Sequence, residues 1–156
     1  VSDEPSGLLG LLRAGVRECL AALAPRRVRA MDRGERAAAR HLRRDGWDIL
    51  AANVRYGRDE ADLVARDARG VAVLLEVKSS RDALIAPERL VGGRKQAALR
   101  RLARRLAQER RFGFGGMAPR IDVVVVRLGA AETDDRVERH LHGAVGGGDG
   151  HRSQRQ

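Results

Sequence analysis

From Val71 the chain runs Val71-Ala72-Val73-Leu74-Leu75 without a polar side chain and then changes character to Glu76-Val77-Lys78. A run that apolar and that short predicts a central strand covered on both faces, because a strand with one wet face would alternate. Ile121-Asp122-Val123-Val124-Val125-Val126 predicts a second buried strand of the same kind. Trp47 to Val54 and roughly Ala61 to Arg66 are shorter strand candidates, separated by the turn residues Tyr56-Gly57-Arg58-Asp59 and followed by Asp67-Ala68-Arg69-Gly70.

Two stretches have the helical period instead. From Gly34 to Arg44, Glu35, Ala38, Ala39 and Leu42 share one side while Arg36, Arg40, Arg43 and Arg44 point elsewhere, and Gly46 stops the helix. From about Arg94 to Arg110, Lys95, Leu99, Leu102 and Leu106 share a face and Arg100, Arg101, Arg104 and Arg105 crowd the others, with Gly113, Gly115 and Gly116 ending the run. Ser79 to Gly93, with Pro87 and Gly92-Gly93, is a polar loop long enough to be functional.

The ends read differently from the middle. Leu8, Leu12, Val16, Cys19, Leu20 and Leu23 fall at helical spacing, and Pro25 with Arg26, Arg27 and Arg29 separates them from the central segment. Residues 1–30 are therefore expected to be an extension with an accessory helix, residues 31–129 the functional domain, and residues 130–156, closing on Gly146-Gly147-Gly148 and polar residues, a disordered tail.

Charge narrows the class of partner. A net charge of +10 on 156 residues predicts an anionic partner, nucleic acid first, since phosphate backbones release counterions on binding such a surface. No apolar stretch approaches the roughly 20 residues that span a bilayer, and the acidic start Val1-Ser2-Asp3-Glu4 is unlike a secretory signal, so a cytoplasmic location is expected. The single cysteine, Cys19, excludes a disulfide framework and a CxxC metal site.

Within this arginine-rich chain Lys78 and Lys95 are the only lysines. An ammonium can shift its pKa and sit beside a carboxylate in ways a planar guanidinium cannot, although codon bias toward Ala, Arg and Gly explains their rarity equally well. Glu76 and Lys78, two apart on a strand, share a face. If Ala68-Arg69-Gly70 is a three-residue hairpin loop with Gly70 left-handed, Asp67 pairs with Val71 and Asp62 falls opposite Glu76. Two carboxylates about 4 Å apart repel by roughly 4 kcal/mol at an effective dielectric near 20, so the pair needs a cation or a proton. Mg²⁺ suits one or two carboxylates and completes its shell with water and substrate phosphate.

Asp62 followed by Glu76-x-Lys78 resembles the metal-binding pattern of the PD-(D/E)xK nuclease superfamily. Gly34-Glu35, Asn53-Val54-Arg55, Glu60 to Asp67, Glu76 to Ser80, Lys95 and Arg120 to Val124 come in the order of the YraN-like family of bacterial proteins, over about residues 31 to 128. The resemblance implies an α/β, restriction-endonuclease-like three-layer fold, with a mixed central sheet flanked by helices. It also implies a Mg²⁺- or Mn²⁺-dependent endonuclease acting on DNA in preference to RNA, with a likeness to Holliday junction resolvases. Asp62 and Glu76 would be metal ligands with Lys78 activating water or stabilising charge, and Glu35 would be a further ligand. Glu60 is a minor candidate ligand. Lys95, Arg81, Arg94 and Arg55 would hold phosphates, and a homodimer is expected if the junction analogy holds.

The chain departs from the pattern at Asp59, where the family has glycine, and at Ala61, where the superfamily has proline. Asp59 would add a carboxylate that alters local geometry or metal affinity. Asp122 is expected to pair with an arginine in a structural role, and His140 and His142, near the expected tail, to be remote from metal chemistry. The alternative function is a non-catalytic nucleic-acid binder on the same fold, or an RNA-associated basic protein.

Overall fold

A computed structural model describes residues 30–81 and 91–146. Helix α1 spans Arg33–Arg44 and is succeeded by strands β1 (Asp48–Tyr56), β2 (Asp59–Arg66) and β3 (Ala72–Ser80). Helix α2 spans Gly93–Ala107, and strands β4 (Arg120–Arg127) and β5 (Arg136–Leu141) complete the chain order. The sheet order is β1-β2-β3-β4-β5. All neighbours are antiparallel except β3 and β4, which run parallel across the α2 crossover.

Each helix covers one face of the sheet. Ala37, Ala38, Ala39 and Leu42 of α1 pack with Leu63, Ala65, Val73, Leu75, Val124 and Val126. Leu99, Leu102, Ala103 and Leu106 of α2 pack with Val64, Leu74, Val123 and Val125 on the other face, joined by Phe112 and Phe114. The result is the three-layer α/β arrangement around a mixed sheet that the resemblance implies. β3 and β4 are buried on both faces, as their unbroken apolar runs require.

Local rules fix the ends of α1. The Asp32 side chain accepts from the Glu35 N–H at 2.8 Å and Glu35 Oε2 accepts from the Asp32 N–H at 2.9 Å, a reciprocal capping box. At the other end Gly46 is left-handed (φ 81°), its N–H donates to Arg43 O, and the Trp47 N–H donates to Leu42 O. This Schellman closure turns the chain into β1 and presents Trp47 to the sheet.

The tail expectation is corrected. Residues 136–141 form the edge strand β5, and Val137 and Leu141 pack against the two cores. Composition misled because β5 is short and charged, as befits an edge strand, while its partner β4 supplies the hydrogen bonds. The Gly147-Gly148 end and the helix expected over residues 8–24 lie outside the described residues.

Candidate functional site

The β2–β3 hairpin has the register expected of it. The Asp67 N–H donates to Val71 O at 2.9 Å, Gly70 is left-handed (φ 84°), and the pairs Leu63–Leu75 and Val64–Leu74 bring Asp62 and Glu76 to facing positions one step further on. Leu75 points into the α1 core, so Glu76 and Lys78 point toward α2.

Both lysines of the chain meet on Glu76. Lys78 Nζ lies 2.8 Å from Oε1 and Lys95 Nζ, projecting from the first turn of α2, lies 2.8 Å from Oε2. The Lys95 contact is a close ion pair without hydrogen-bond geometry, which leaves Oε2 of this buried carboxylate with no hydrogen bond. Lys95 Nζ instead donates to the Glu60 backbone carbonyl at 3.0 Å. Asp62 Oδ2 accepts from the Val77 N–H at 2.7 Å. Burial, and then the Glu76 charge, push the Asp62 carboxyl up to about 6 against the Val77 N–H and Lys95, with Glu35 adding a smaller upward push.

Glu35 reaches this neighbourhood because α1 begins unusually close to β3. A Cβ on Gly34 would stand 2.5 Å from Ser79 Cβ, so only glycine allows that approach. Glu35 is 2 % exposed and its Oε2 is 3.4 Å from Asn53 Nδ2. Asn53 is left-handed (φ 52°) within β1, a conformation that Asn tolerates better than other non-glycine residues. Its orienting part in the site had a sequence signal in an Asn placed inside a predicted strand, where that residue is depleted.

Other predicted residues are engaged differently. The Glu60 carboxylate pairs with Arg55 across β1 and β2, so the carbonyl of Glu60, and not its side chain, faces Lys95. Asp59 forms a two-pronged pair with Arg101 of α2 at 2.9 and 2.6 Å, and this bond first holds its carboxyl below the usual range. The extra carboxylate thus ties the hairpin to α2. Arg81, just after β3, and Arg94, in the first turn of α2, are exposed on either side of the connection between those elements, whose residues 82–90 lie outside the described set.

A second polar cluster lies on the opposite face of the sheet. Asp122 pairs in register with Leu75, and so faces α1. Arg120 Nε donates to Asp122 Oδ1 at 2.8 Å and Nη2 to Oδ2 at 2.9 Å, the arginine partner expected of it. His140 Nε2 is 3.0 Å and His142 Nδ1 3.2 Å from Oδ2, and the Gly143 N–H donates to Oδ1 at 2.8 Å. Burial pushes the Asp122 carboxyl up, but His140, Arg120 and Gly143 together hold it well below the usual carboxylate range. The ligand atoms of Asp122, His140 and His142 lie within 4.8 Å of one another, and this group could hold a metal ion. The expectation that these histidines lie by a disordered tail is thereby corrected, because β5 and the turn after it place them against a buried carboxylate.

The family model of the uncharacterised protein family UPF0102 matches residues 34–126. The chain belongs to this family. A UPF0102 protein of Syntrophotalea carbinolica is 38 % identical, covering 71 % of this chain and 86 % of that one. One of Symbiobacterium thermophilum is 40 % identical over 65 % of this chain and 84 % of that one, and one of Corynebacterium efficiens 38 % identical over 60 % and 73 %. The matched segment of this UPF0102 member holds Glu35, Asp62, Glu76, Lys78, Lys95 and Asp122, and ends before His140 and His142. Among solved structures, Pyrococcus furiosus SfsA in complex with Ca²⁺ is similar at a TM-score of 0.34 and 13 % identity, over 67 % of this chain and 59 % of that one, a distant likeness that says nothing of activity. Among the described residues no helix is long and apolar enough to cross a membrane.

Proposed function

We propose that this protein is a metal-dependent endonuclease that hydrolyses DNA phosphodiesters at the Asp62, Glu76, Lys78 cluster. The observation that carries this reading is the meeting of the chain's two lysines on the two oxygens of one buried glutamate beside Asp62. A structural ion pair needs one cation, whereas this site gathers three carboxylates and two ammoniums.

The residues fit a hard divalent cation such as Mg²⁺ or Mn²⁺. Glu76 Oε2 is buried without a hydrogen bond, and the Asp62 carboxyl is raised by burial and then by the Glu76 charge, so both carboxylates gain from a cation. Asp62 and Glu76 would hold it, with Glu35 as a further ligand. When bound, the cation supplies positive charge to the phosphate as its oxygens become more negative. With Asp62 ionised, Glu35, Asp62 and Glu76 outweigh Lys78 and Lys95 by one charge. A divalent cation reverses that to one positive, which matches a single phosphodiester.

Lys78, a third exposed, keeps its ammonium at the mouth of the site. There it would steady charge on the attacked phosphate or hand a proton to the leaving oxygen. Lys95 is tied to the Glu60 carbonyl and fixes the Glu76 carboxylate from the α2 side. Arg81, Arg94 and Arg55 would hold flanking phosphates.

Duplex or branched DNA suits the surface better than single strands. All four aromatic side chains are already engaged: Tyr56 under Arg105, Phe112 against Phe114, and Trp47 on His140. None is left as a platform for base stacking.

One observation favours a second reading, a non-catalytic nucleic-acid binder. Lys78 and Lys95 already neutralise Glu76 without any ion. The test is cleavage of linear duplex, single-stranded, flap and four-way junction DNA in Mg²⁺ or Mn²⁺ by wild type, Lys78→Ala and Asp62→Asn. Nuclease chemistry requires metal-dependent cutting that falls by about 10²-fold or more in both variants while binding persists. Binding without cutting in either metal would favour the binder.

A further inference from the structure

The Asp122 cluster plays no part in the proposed chemistry and lies on the far side of the sheet from Glu76. Its two carboxylate oxygens have different neighbours. Oδ1 is fixed by the Gly143 N–H and by Arg120 Nε, each at 2.8 Å. Oδ2 is met by Arg120 Nη2 at 2.9 Å, His140 Nε2 at 3.0 Å and His142 Nδ1 at 3.2 Å.

That second set is overfilled. Three nitrogens converge on one oxygen, and His142 Nδ1 also lies 3.3 Å from Arg120 Nη2. Where Nδ1 accepts from Arg120, it meets Oδ2 at 3.2 Å as a second acceptor with no hydrogen between the two. A cation taking the lone pairs of Oδ2, His140 Nε2 and His142 Nδ1 removes the conflict.

The spacing suits such a cation. Tetrahedral zinc with ligands at roughly 2.0–2.1 Å sets neighbouring ligand atoms about 3.3 Å apart, close to the 3.0 and 3.2 Å from Oδ2 to the two imidazoles. The surroundings hold the ligands in place. Trp47 packs against both rings, with centroids 5.2 and 6.5 Å away, and the two imidazoles stack at 4.1 Å. Gly143 (φ 61°) turns the chain so that its N–H returns to Oδ1. Arg120 Nη1 contacts Asp67 at 3.2 Å, so the guanidinium keeps Asp67 and Oδ1 as partners if Nη2 gives way. Contacts of this kind orient a ligating carboxylate from behind. The His142 side chain is 58 % exposed, which leaves an open side for entry and a water ligand.

We propose that Asp122, His140 and His142 bind one late first-row transition-metal ion of the zinc class, as a structural clasp between β4 and β5. Two imidazoles and one carboxylate select such an ion over Mg²⁺. The clasp is independent of the hydrolytic reading and is compatible with its failure.

The test is titration of the full chain with Co²⁺ in excess Mg²⁺, above the histidine range of pH, then Zn²⁺ displacement and thermal melting. The expected result is visible d–d absorption saturating at one equivalent, its loss to Zn²⁺, and a melting temperature raised by Zn²⁺. His142→Gln, at an exposed side chain, abolishes both signals while its circular dichroism stays that of wild type, and His140→Gln does the same. Glu76→Gln, across the sheet, keeps them. Absence of stoichiometric absorption, or absorption that survives both histidine substitutions, overturns the proposal.

Discussion

Gly34 is the smallest residue on which the site depends. Its missing Cβ lets the first turn of α1 rest on Ser79, and that contact delivers Glu35 toward Asp62. Gly34→Ala is expected to destabilise the fold by about 1–3 kcal/mol through overpacking, read as a lower urea midpoint, and to weaken divalent-metal affinity by shifting Glu35. A variant with wild-type stability would mean that α1 slides at no cost. Asp62 makes a prediction of opposite sign to most acids. Its carboxyl is raised to about 6 by burial and by Glu76, against about 3.9 in an unfolded chain. The folded protein therefore holds a proton that the unfolded chain has released. This contribution to stability is complete below about pH 4 and is lost as pH rises through about 6. In chelator, the stability of wild type relative to Asp62→Asn should fall across that window and then level. A relative stability that rises with pH there would contradict the assigned environment.

At the scale of elements, the hairpin and the two helices do different work. The hairpin alone sets Asp62 opposite Glu76, and that register was legible because turn chemistry at Asp67-Ala68-Arg69-Gly70 and period-two alternation leave one solution. Helix α2 adds Lys95 through packing of Leu99, Leu102 and Leu106 against the sheet. The Asp59–Arg101 bond joins the two elements, with the arginine half exposed. Asp59→Gly, restoring the residue usual in the family, is expected to cost less than about 1 kcal/mol from the lost pair and to leave Mg²⁺ affinity unchanged. A large change in metal affinity would return Asp59 to the ligand set. Glu60 illustrates what local reasoning misses. Its spacing from Asp62 made it a candidate ligand, but the cross-strand neighbour Arg55 claims its carboxylate.

Over the whole molecule, the net charge of +10 and the arginine-lined α2 face predict binding dominated by backbone phosphates. Duplex affinity should drop by about 10³-fold between roughly 50 and 200 mM salt, the behaviour of about six phosphate contacts, whatever the sequence of the duplex. Fluorescence anisotropy checks this, and a salt-insensitive complex would remove backbone reading. The sequence by itself determined the buried strands, the hairpin register, the capped first helix and the candidate site residues Asp62, Glu76 and Lys78, because those depend on periodicity and on neighbours within a few positions. Only the tertiary structure decided that Lys95 shares Glu76 with Lys78, that Asn53 reaches Glu35, and that His140 and His142 close on Asp122. Each of these contacts joins residues about 20 positions apart in the chain, beyond the reach of any turn or helical repeat. Their geometry comes from the order of strands in the sheet and from which face each helix covers. A short charged edge strand such as β5 carries almost no local signal of its own, since what orders it is the row of backbone groups that β4 presents to it.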